Sequence, residues 1–415
     1  MKKYLPIILI YLTSIGLSDY YSDRFLIYID NSISLFEINE NTGRTNLEDL
    51  NQKMDDMGAS GIHQWLSYAR STDRDGDTYL NRYYVIQFNS PRTDIQALVK
   101  NVESLQSIRT SEIMTINRPT YIPNDPRWNQ QWYLPNIEAD LAYDLWDIDG
   151  GQIPGQIEGG EIIVGIVDDA SDWDHPDLIN NIWQNLGEDA DGDGVVLVQN
   201  GSSWSFDPDD INNVDDDGDG YIDNFIGWDM ADDDNNPIYP SNNLSHGTSV
   251  AGCVSGATNN GTGIASVGWS VKLMPFRCSN DGQYIEYGYN GILAAAQMGA
   301  NVINCSWGGF GGGNQSVINS AYNNYGCIIV ASAGNGDENG NTNFDYHAPS
   351  GLNNVLSVTA TGPGDNFNCW ATAGTTVDLC APGENITTTS LGGGYGAAWG
   401  TSFSSPITAG AVALI

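Results

Sequence analysis

The run IIVGIVDD, residues 162–169, decides the fold class. The continuous apolar character of its first six residues, IIVGIV (162–167), is typical of a strand that is buried on both faces of a parallel sheet. Four later runs share this character: VKLMPF (271–276), NVINCS (301–306), CIIVAS (327–332) and NVLSVT (354–359). The Ala- and Leu-rich segment 285–300 between the second and third runs predicts a crossover helix. Strands alternating with helices predict an α/β domain with a mainly parallel central sheet flanked by helices.

Polar residues follow these runs, where an open parallel sheet usually carries its functional site. Asp168 and Asp169 follow residues 162–167, Ser306-Trp307-Gly308-Gly309 follows residues 301–305, and Ser332-Ala333-Gly334-Asn335 follows residues 328–331. Two other segments, SHGTSVAGCVSG (245–256) and GTSFSSP (400–406), place His246 and Ser402 at the heads of small-residue helices.

Four of these residues have the side chains that serine-based acyl transfer requires. A serine that attacks a carbonyl needs a base within hydrogen-bond reach, a carboxylate that orients the base, and donors for the oxyanion. Asp168, His246, Ser402 and Asn335 supply these types, each at the end of a predicted element. A histidine taken alone is more often a surface or core residue, but this chain contains only four.

Five segments, taken in order, resemble the subtilisin family of serine proteases. They are IIVGIVDDASDWDHPDL, HGTSVAG, NCSWGG, ASAGN and GTSFSSP, and they span roughly Asp125 to the end of the chain. The chain order Asp, His, Ser is the subtilisin order. The related sedolisin group uses Glu as its base and Asp at the oxyanion position, so His246 and Asn335 argue against it. The resemblance implies a three-layer subtilisin-like fold.

The resemblance also implies a role for each matched residue. Asp168 would orient the base, His246 would be the general base, Ser402 the nucleophile, and Asn335 an oxyanion donor. The implied substrate-binding residues are Ser306, Trp307, Gly308, Gly309, Ser332, Ala333 and Gly334. Ala170 stands where the family usually has Gly, which raises a question about the local backbone.

The implied function is a secreted serine endopeptidase that hydrolyses proteins or peptides and is made as a zymogen. The alternative is a non-catalytic subtilisin-like module in adhesion or assembly. The intact set of Asp168, His246, Ser402 and Asn335 favours the enzyme, since a module without activity would be free to lose any of them.

Three domains are predicted along the chain. Residues 1–18 have the positive start, short apolar run and small residues of a secretory signal peptide, with a single-pass anchor as the alternative. Residues 19–120 contain a strand pattern, YYVIQF (83–88), and an amphipathic helix pattern within 93–108. They resemble the family's small α+β inhibitory propeptide, which implies that the chain's own propeptide is an intramolecular inhibitor.

The remaining residues, 121–415, form the predicted catalytic domain. A boundary near Arg118–Pro123 is marked by several prolines and a change in charge. Because the apolar helix that begins near Ser402 reaches Ile415 without a cap, we expect the natural chain to continue, so that this domain is truncated at its C-terminus.

The net charge of −37 excludes some partners. Nucleic acid and anionic membrane surfaces would be repelled, so no membrane contact is expected beyond the export signal. The six cysteines lie in the second half of the chain. An exported protein permits disulfides, whereas the apolar context of several cysteines suits buried free thiols equally well.

Two acidic runs predict bound calcium. DADGDG (189–194) and DDDGDGYIDN (215–224) place carboxylates at alternate positions with Gly after the third. The candidate ligands are Asp189, Asp191, Asp193, Asp215, Asp217, Asp219 and Asp223. Because neither run has Glu at its twelfth position, other residues would complete each site; the alternative is a solvated acidic loop. By resemblance, Asp177 and Asn260 match a calcium site common in subtilisins.

Overall fold

The computed structural model describes residues 20–39, 42–115, 121–238, 246–336, 347–367 and 370–415. They form two compact units, one within residues 20–115 and the other within residues 121–415. The predicted signal peptide lies outside the described residues.

The first unit is an antiparallel sheet with two helices. Its strands are β1 (Tyr20–Ile29), β2 (Ile38–Asn39), β3 (Arg44–Thr45), β4 (Gly61–Gln64), β5 (Arg74–Asp75), β6 (Thr78–Tyr79), β7 (Tyr83–Gln87) and β8 (Ile108–Thr115). Its helices are α1 (Glu48–Met57) and α2 (Ile95–Val102). The four long strands pair in the order β4-β7-β1-β8. Helix α2 buries the apolar face that the sequence pattern predicts, so the unit is a small α+β body.

The second unit is built on a mainly parallel sheet. Its strands are β9 (Gln156–Ile157), β10 (Gly160–Glu161), β11 (Ile163–Asp168), β12 (Leu197–Asn200), β13 (Ser203–Phe206), β14 (Trp228–Asp229), β15 (Lys272–Arg277), β16 (Val302–Cys305), β17 (Gly309–Phe310), β18 (Ile328–Ser332), β19 (His347–Ala348), β20 (Val355–Gly362), β21 (Asn366–Phe367), β22 (Leu379–Pro382), β23 (Ile386–Ser390) and β24 (Gly394–Ala398).

The central sheet has eight strands in the order β14-β15-β11-β16-β18-β20-β21, with β22 also pairing with β20. Every pair in it is parallel except β20 with β21. The five apolar runs of the sequence are the strands β11, β15, β16, β18 and β20, so the predicted fold class is confirmed.

Helices cover both faces of this sheet. They are α3 (Tyr133–Asn136), α4 (Ala139–Tyr143), α5 (His246–Ser255), α6 (Gly288–Gln297), α7 (Gln315–Asn324) and α8 (Thr401–Ala413). Successive strand residues face opposite sides, so Val164 and Ile166 join the apolar cluster under α5 and α8. Val167 joins the cluster formed by α6 and α7 on the other face. The result is the predicted three-layer arrangement.

An acidic insert separates β11 from α5, and its hairpin β12–β13 is antiparallel. The five described cysteines are free thiols, four buried and one exposed, and Cys369 lies outside the described residues. Within the described ranges, no helix is both long and apolar enough to span a bilayer.

Candidate active site

Asp168 and His246 form a direct hydrogen bond at the carboxyl end of β11. The His246 ring donates from Nδ1 to Oδ1 of Asp168 at 2.8 Å. The same oxygen accepts the backbone N–H of Asp169 at 2.8 Å, and Asp168 is only 1% exposed. A carboxylate oxygen that accepts this bond places the proton of the neutral ring on Nδ1, which leaves the lone pair of Nε2 free to act as a base.

Asp169 holds the first turn of α5 in place. Its Oδ2 accepts the N–H of His246 at 2.8 Å, and its Oδ1 accepts the N–H of Gly247 at 2.7 Å. A carboxylate at a helix N-terminus satisfies free N–H groups and is favoured by the helix dipole. The second aspartate of the pair therefore positions the helix that carries His246.

Gly247 allows α5 to approach β11 closely. A Cβ on this residue would lie 2.1 Å from the carbonyl oxygen of Ala170 and 3.0 Å from Cβ of Asp168. Only glycine fits that contact, which gives a physical reason for the His-Gly sequence. Ala170 itself has no positive φ, so the backbone accommodates alanine at this position without strain.

The charges of the site act on His246 in opposite directions. Burial lowers the pKa of His246, but the charge and hydrogen bond of Asp168 outweigh burial and raise the pKa above its ordinary value. The ring remains 36% exposed, so solvent moderates this interaction. Burial and the charge of Asp168 also raise the pKa of Asp169, against the effect of the N–H groups that it accepts.

Ser402 lies in the first turn of α8, the helix that packs against α5. Its Oγ donates to the carbonyl oxygen of Ser306 at 3.2 Å, and within the described ranges it makes no hydrogen bond to His246. The ring of the next residue, Phe403, lies 5.7 Å from the His246 ring, centroid to centroid. Catalytic hydrogen bonds are often long before substrate binds, and rotation about the Cα–Cβ bond of Ser402 can redirect its hydroxyl.

The amide of Asn335 is held in one orientation next to Ser402. Its Oδ1 accepts the N–H of Thr401 at 2.8 Å and the hydroxyl of Thr401 at 3.0 Å. Its Nδ2 makes no hydrogen bond to any described residue and lies 3.2 Å from the position of a Cβ on Gly400. The amide therefore offers a fixed N–H donor at the head of the helix that carries Ser402.

The segments that follow β16 and β18 border the same region. Ser306 Oγ donates to the carbonyl oxygen of Ser402 at 2.8 Å, which ties the end of β16 to α8. Trp307 instead anchors its indole on β11, because Nε1 donates to the carbonyl oxygen of Val167 at 2.8 Å. Ser332 and Ala333 are buried, whereas the backbone of Gly309 is exposed.

The structure adds His347, which lies in none of the sequence motifs. A Cβ on Gly308 would lie 2.2 Å from Cε1 of His347, and a Cβ on Gly334 would lie 3.1 Å from Nε2. The imidazole thus fills the space between the two substrate-binding segments predicted from sequence. Its Nδ1 lies 2.9 Å from Oγ of Ser350, and burial lowers its pKa to about 4, so the ring is neutral near neutral pH.

The predicted metal ligands divide into two clusters and a remainder. Asp189 and Asp191 lie with Asp210, and Asp215 and Asp217 lie with Glu188; within each cluster the carboxylate oxygens are within 4.8 Å of one another. Sequence reasoning missed Asp210 and Glu188 because neither lies at a ligand position of the acidic runs.

The other predicted ligands accept hydrogen bonds from the protein. Asp193 accepts the N–H of Val195 at 3.0 Å, Asp219 that of Tyr221 at 2.9 Å, and Asp223 those of Asn212 and Asn213. These three belong to neither cluster. Asp177 and Asn260 do meet, because the Asn260 amide donates to Oδ1 of Asp177 at 2.8 Å.

Several known proteins are similar to this chain in sequence. The model of the subtilase family matches residues 159–415. Thermitase of Thermoactinomyces vulgaris is 32% identical over 301 residues, which cover 71% of this chain and 85% of the relative. The thermophilic serine proteinase of Bacillus sp. (strain AK1) is 29% identical, over 82% of this chain and 70% of the relative.

The extracellular basic protease of Dichelobacter nodosus is 29% identical over 77% of this chain, but the match spans only 52% of that relative. The family model covers more than half of this chain and includes Asp168, His246, Asn335 and Ser402. The chain therefore belongs to the subtilase family of serine endopeptidases.

Proposed function

We propose that the chain hydrolyses peptide bonds through Asp168, His246 and Ser402, with Asn335 as an oxyanion donor. The observation that carries this proposal is the 2.8 Å hydrogen bond between His246 Nδ1 and Asp168. The other ring nitrogen, Nε2, makes no hydrogen bond to any described residue. His246 Nε2 takes the Ser402 proton as Oγ attacks the scissile carbonyl. Asn335 Nδ2 stabilises the oxyanion, and His246 then protonates the departing amine.

Water then attacks the carbonyl of the acyl-enzyme, with His246 again as the base, and releases Ser402. The test is Ser402→Ala, with Ser316→Ala at an exposed position of α7 as the control. We expect Ser402→Ala to lower kcat by about 10⁶-fold, while Ser316→Ala leaves kcat unchanged. Undiminished peptidase activity in Ser402→Ala would refute the mechanism. If the parent protein is itself inactive, the alternative function, a non-catalytic module in adhesion or assembly, would be favoured.

We propose that residues 19–120 are an inhibitory propeptide and that the protein is a zymogen. Support comes from the family resemblance and from the division of the chain into two separately compact units. The parent should shed its first 118–123 residues, and Ser402→Ala should keep them, as measured by intact mass. If isolated Ser402→Ala matures as fast as the parent, self-processing is wrong.

We propose that the protein is secreted through residues 1–18. Support comes from the leader pattern of the sequence and from a relative that is named as extracellular. Fusion of residues 1–18 to a reporter should export the reporter, and Lys2→Glu with Lys3→Glu should reduce export. Unchanged export by the double variant would count against this assignment.

We propose calcium as a structural ion of the insert. Residues 188–234 contain sixteen Asp and Glu residues and no Lys or Arg. Carboxylate oxygens are hard ligands that suit calcium, and a bound cation relieves their mutual repulsion.

A further inference from the structure

The two acidic runs share a sequence pattern and the same loop hydrogen bonds, since Asp189 accepts the N–H groups of Gly192 and Gly194 just as Asp215 accepts those of Gly218 and Gly220. The two clusters differ in how the protein satisfies the carboxylate that completes each of them.

In the second cluster, Oε1 of Glu188 accepts the N–H groups of Asp216 and Asp217 at 2.9 and 3.1 Å. Oε2 of Glu188 accepts the N–H of Asp223 at 2.9 Å. Oδ2 of Asp217 accepts the amide of Asn185 at 2.9 Å. Protein donors therefore already satisfy these oxygens.

The first cluster contains a buried carboxylate oxygen that has no donor. Asp210 is fully buried, and its Oδ1 accepts the N–H groups of Ala190 at 2.9 Å and Asp191 at 3.3 Å. Its Oδ2 is also buried, yet has no hydrogen-bond partner among the described residues. A carboxylate oxygen that is removed from water without a partner is strongly unfavourable, so this atom calls for a ligand.

The chain offers no basic side chain from the insert to fill that role. No Lys or Arg occurs between Arg127 and Lys272. Arg277 pairs with Asp229 and Asp232, and Lys272 lies 3.8 Å from Glu161. Among the described residues no Lys or Arg pairs with Asp210, so a cation that binds its free oxygen would come from solution.

Folding assembles this cluster from two distant segments. The hairpin β12–β13 returns the chain, and the N–H of Asp207 donates to the carbonyl oxygen of Val196 at 3.0 Å. Asp210 thereby comes within 4.8 Å of Asp189 and Asp191, measured between carboxylate oxygens. An ion at this point bridges both ends of the hairpin.

We propose that Asp210 is the buried anchor of a calcium site that it shares with Asp189 and Asp191, whereas in the second cluster protein donors satisfy both oxygens of Glu188. Calcium suits the site because it accepts a variable number of oxygen ligands, and backbone carbonyls or water can complete its shell. Magnesium requires a near-ideal octahedron and gives up its water reluctantly. This inference rests on the calcium proposal above and is independent of peptidase activity.

The test is calcium titration by calorimetry on the full chain carrying Ser402→Ala, which prevents self-digestion. Asp210→Asn keeps the shape of the buried side chain and removes its charge. Asp191→Asn changes an exposed ligand of the same cluster. It tests the site even if Asp210→Asn fails to fold. Two variants serve as controls, because each also removes one negative charge. They are Asp217→Asn in the second cluster and Asp216→Asn, which belongs to neither cluster.

We expect Asp210→Asn and Asp191→Asn each to weaken calcium binding by more than about tenfold, with the two controls near the parent value. Loss of binding in Asp217→Asn alone would overturn the assignment to Asp210 and leave the calcium proposal standing. A parent that binds no calcium would overturn both. Equal binding of magnesium chloride would overturn the choice of ion. Peptidase activity of the chain with Ser402 intact tests the enzyme proposal separately.

Discussion

At the scale of single residues, Asp168 determines which nitrogen of His246 can act as a base. Asp168→Asn can donate to Nδ1 and so favour the wrong tautomer, with the proton on Nε2. We expect kcat to fall by about 10⁴-fold, with little change in the overall fold. Steady-state kinetics measures kcat of this variant, and Asp281→Asn in an exposed loop is the control. A loss below tenfold would contradict the role of Asp168.

In the proposed mechanism, the raised pKa of His246 sets the acid limit of activity. The general base must be neutral, so activity is present above the pKa of His246 and is lost as pH falls through it. Because Asp168 raises that pKa above the ordinary 6.5, we expect the acid limb of kcat/KM to lie above pH 6.5. Asp168→Asn should move the limb downward. A parent limb at or below 6.5 would show that Asp168 does not stabilise the charged ring.

Sequence motifs predict roles for Asp168, His246, Ser402 and Asn335 because each directly follows or heads a recognisable run. They could not identify His347 or Asp210. His347 reaches the site only because β19 pairs with β17, and that contact has no signature in the chain. Asp210 contributes through its burial and its unsatisfied oxygen, which are properties of the folded hairpin.

At the scale of elements, the contact between α5 and β11 depends on Gly247. In Gly247→Ala, the new Cβ would meet the Ala170 carbonyl, so α5 must move and carry His246 away from Asp168. We expect about 1–3 kcal/mol lower stability and about 10²-fold lower kcat. Gly396→Ala, which has open space around its Cβ, is the matched control for kinetics and denaturant unfolding. Equal behaviour of the two variants would contradict the close contact.

Calcium removal should act first on the acidic insert. A ligand that binds only the folded state stabilises it by about 2.7 kcal/mol at a hundred times its dissociation constant. We therefore expect chelation to lower the melting temperature of Ser402→Ala and to open cleavage sites within 189–220 to an added protease. Mass mapping of the fragments locates the cuts. An unchanged melting temperature, with no new cuts in the insert, would make these runs solvated acidic loops.

Continuous apolar runs could be assigned as strands because burial on both faces leaves an unbroken signal. The run 162–167, for example, is β11 at Ile163–Asp168, one residue further along. Strand β14 has only two residues and sits at the sheet edge, too short to show a period. The sequence pattern does not predict the hairpin β12–β13, because the apolar residues of its two strands lie between the acidic runs.

At the scale of the whole molecule, charge is very unevenly distributed. Residues 121–415 contain 37 acidic and only 3 basic residues. Repulsion among like charges disfavours the compact state, and salt screens it. The screening length falls from about 30 Å at 0.01 M salt to about 8 Å at 0.15 M.

We therefore expect the melting temperature of Ser402→Ala, held in fixed calcium, to rise as sodium chloride increases over this range. Differential scanning calorimetry measures the shift, and equal osmolality in sucrose is the control. A melting temperature that is flat or falls with salt would show that the repulsion is already neutralised.

The central claim, that Ser402 is a nucleophile activated by His246, is tested most directly by covalent labelling. The mature protein is treated with a fluorophosphonate and digested, and the modified residue is located by mass spectrometry. We expect a single adduct on Ser402 and a labelling rate that falls by several orders of magnitude in His246→Ala. An adduct on another residue, or an equal rate in His246→Ala, would contradict the claim.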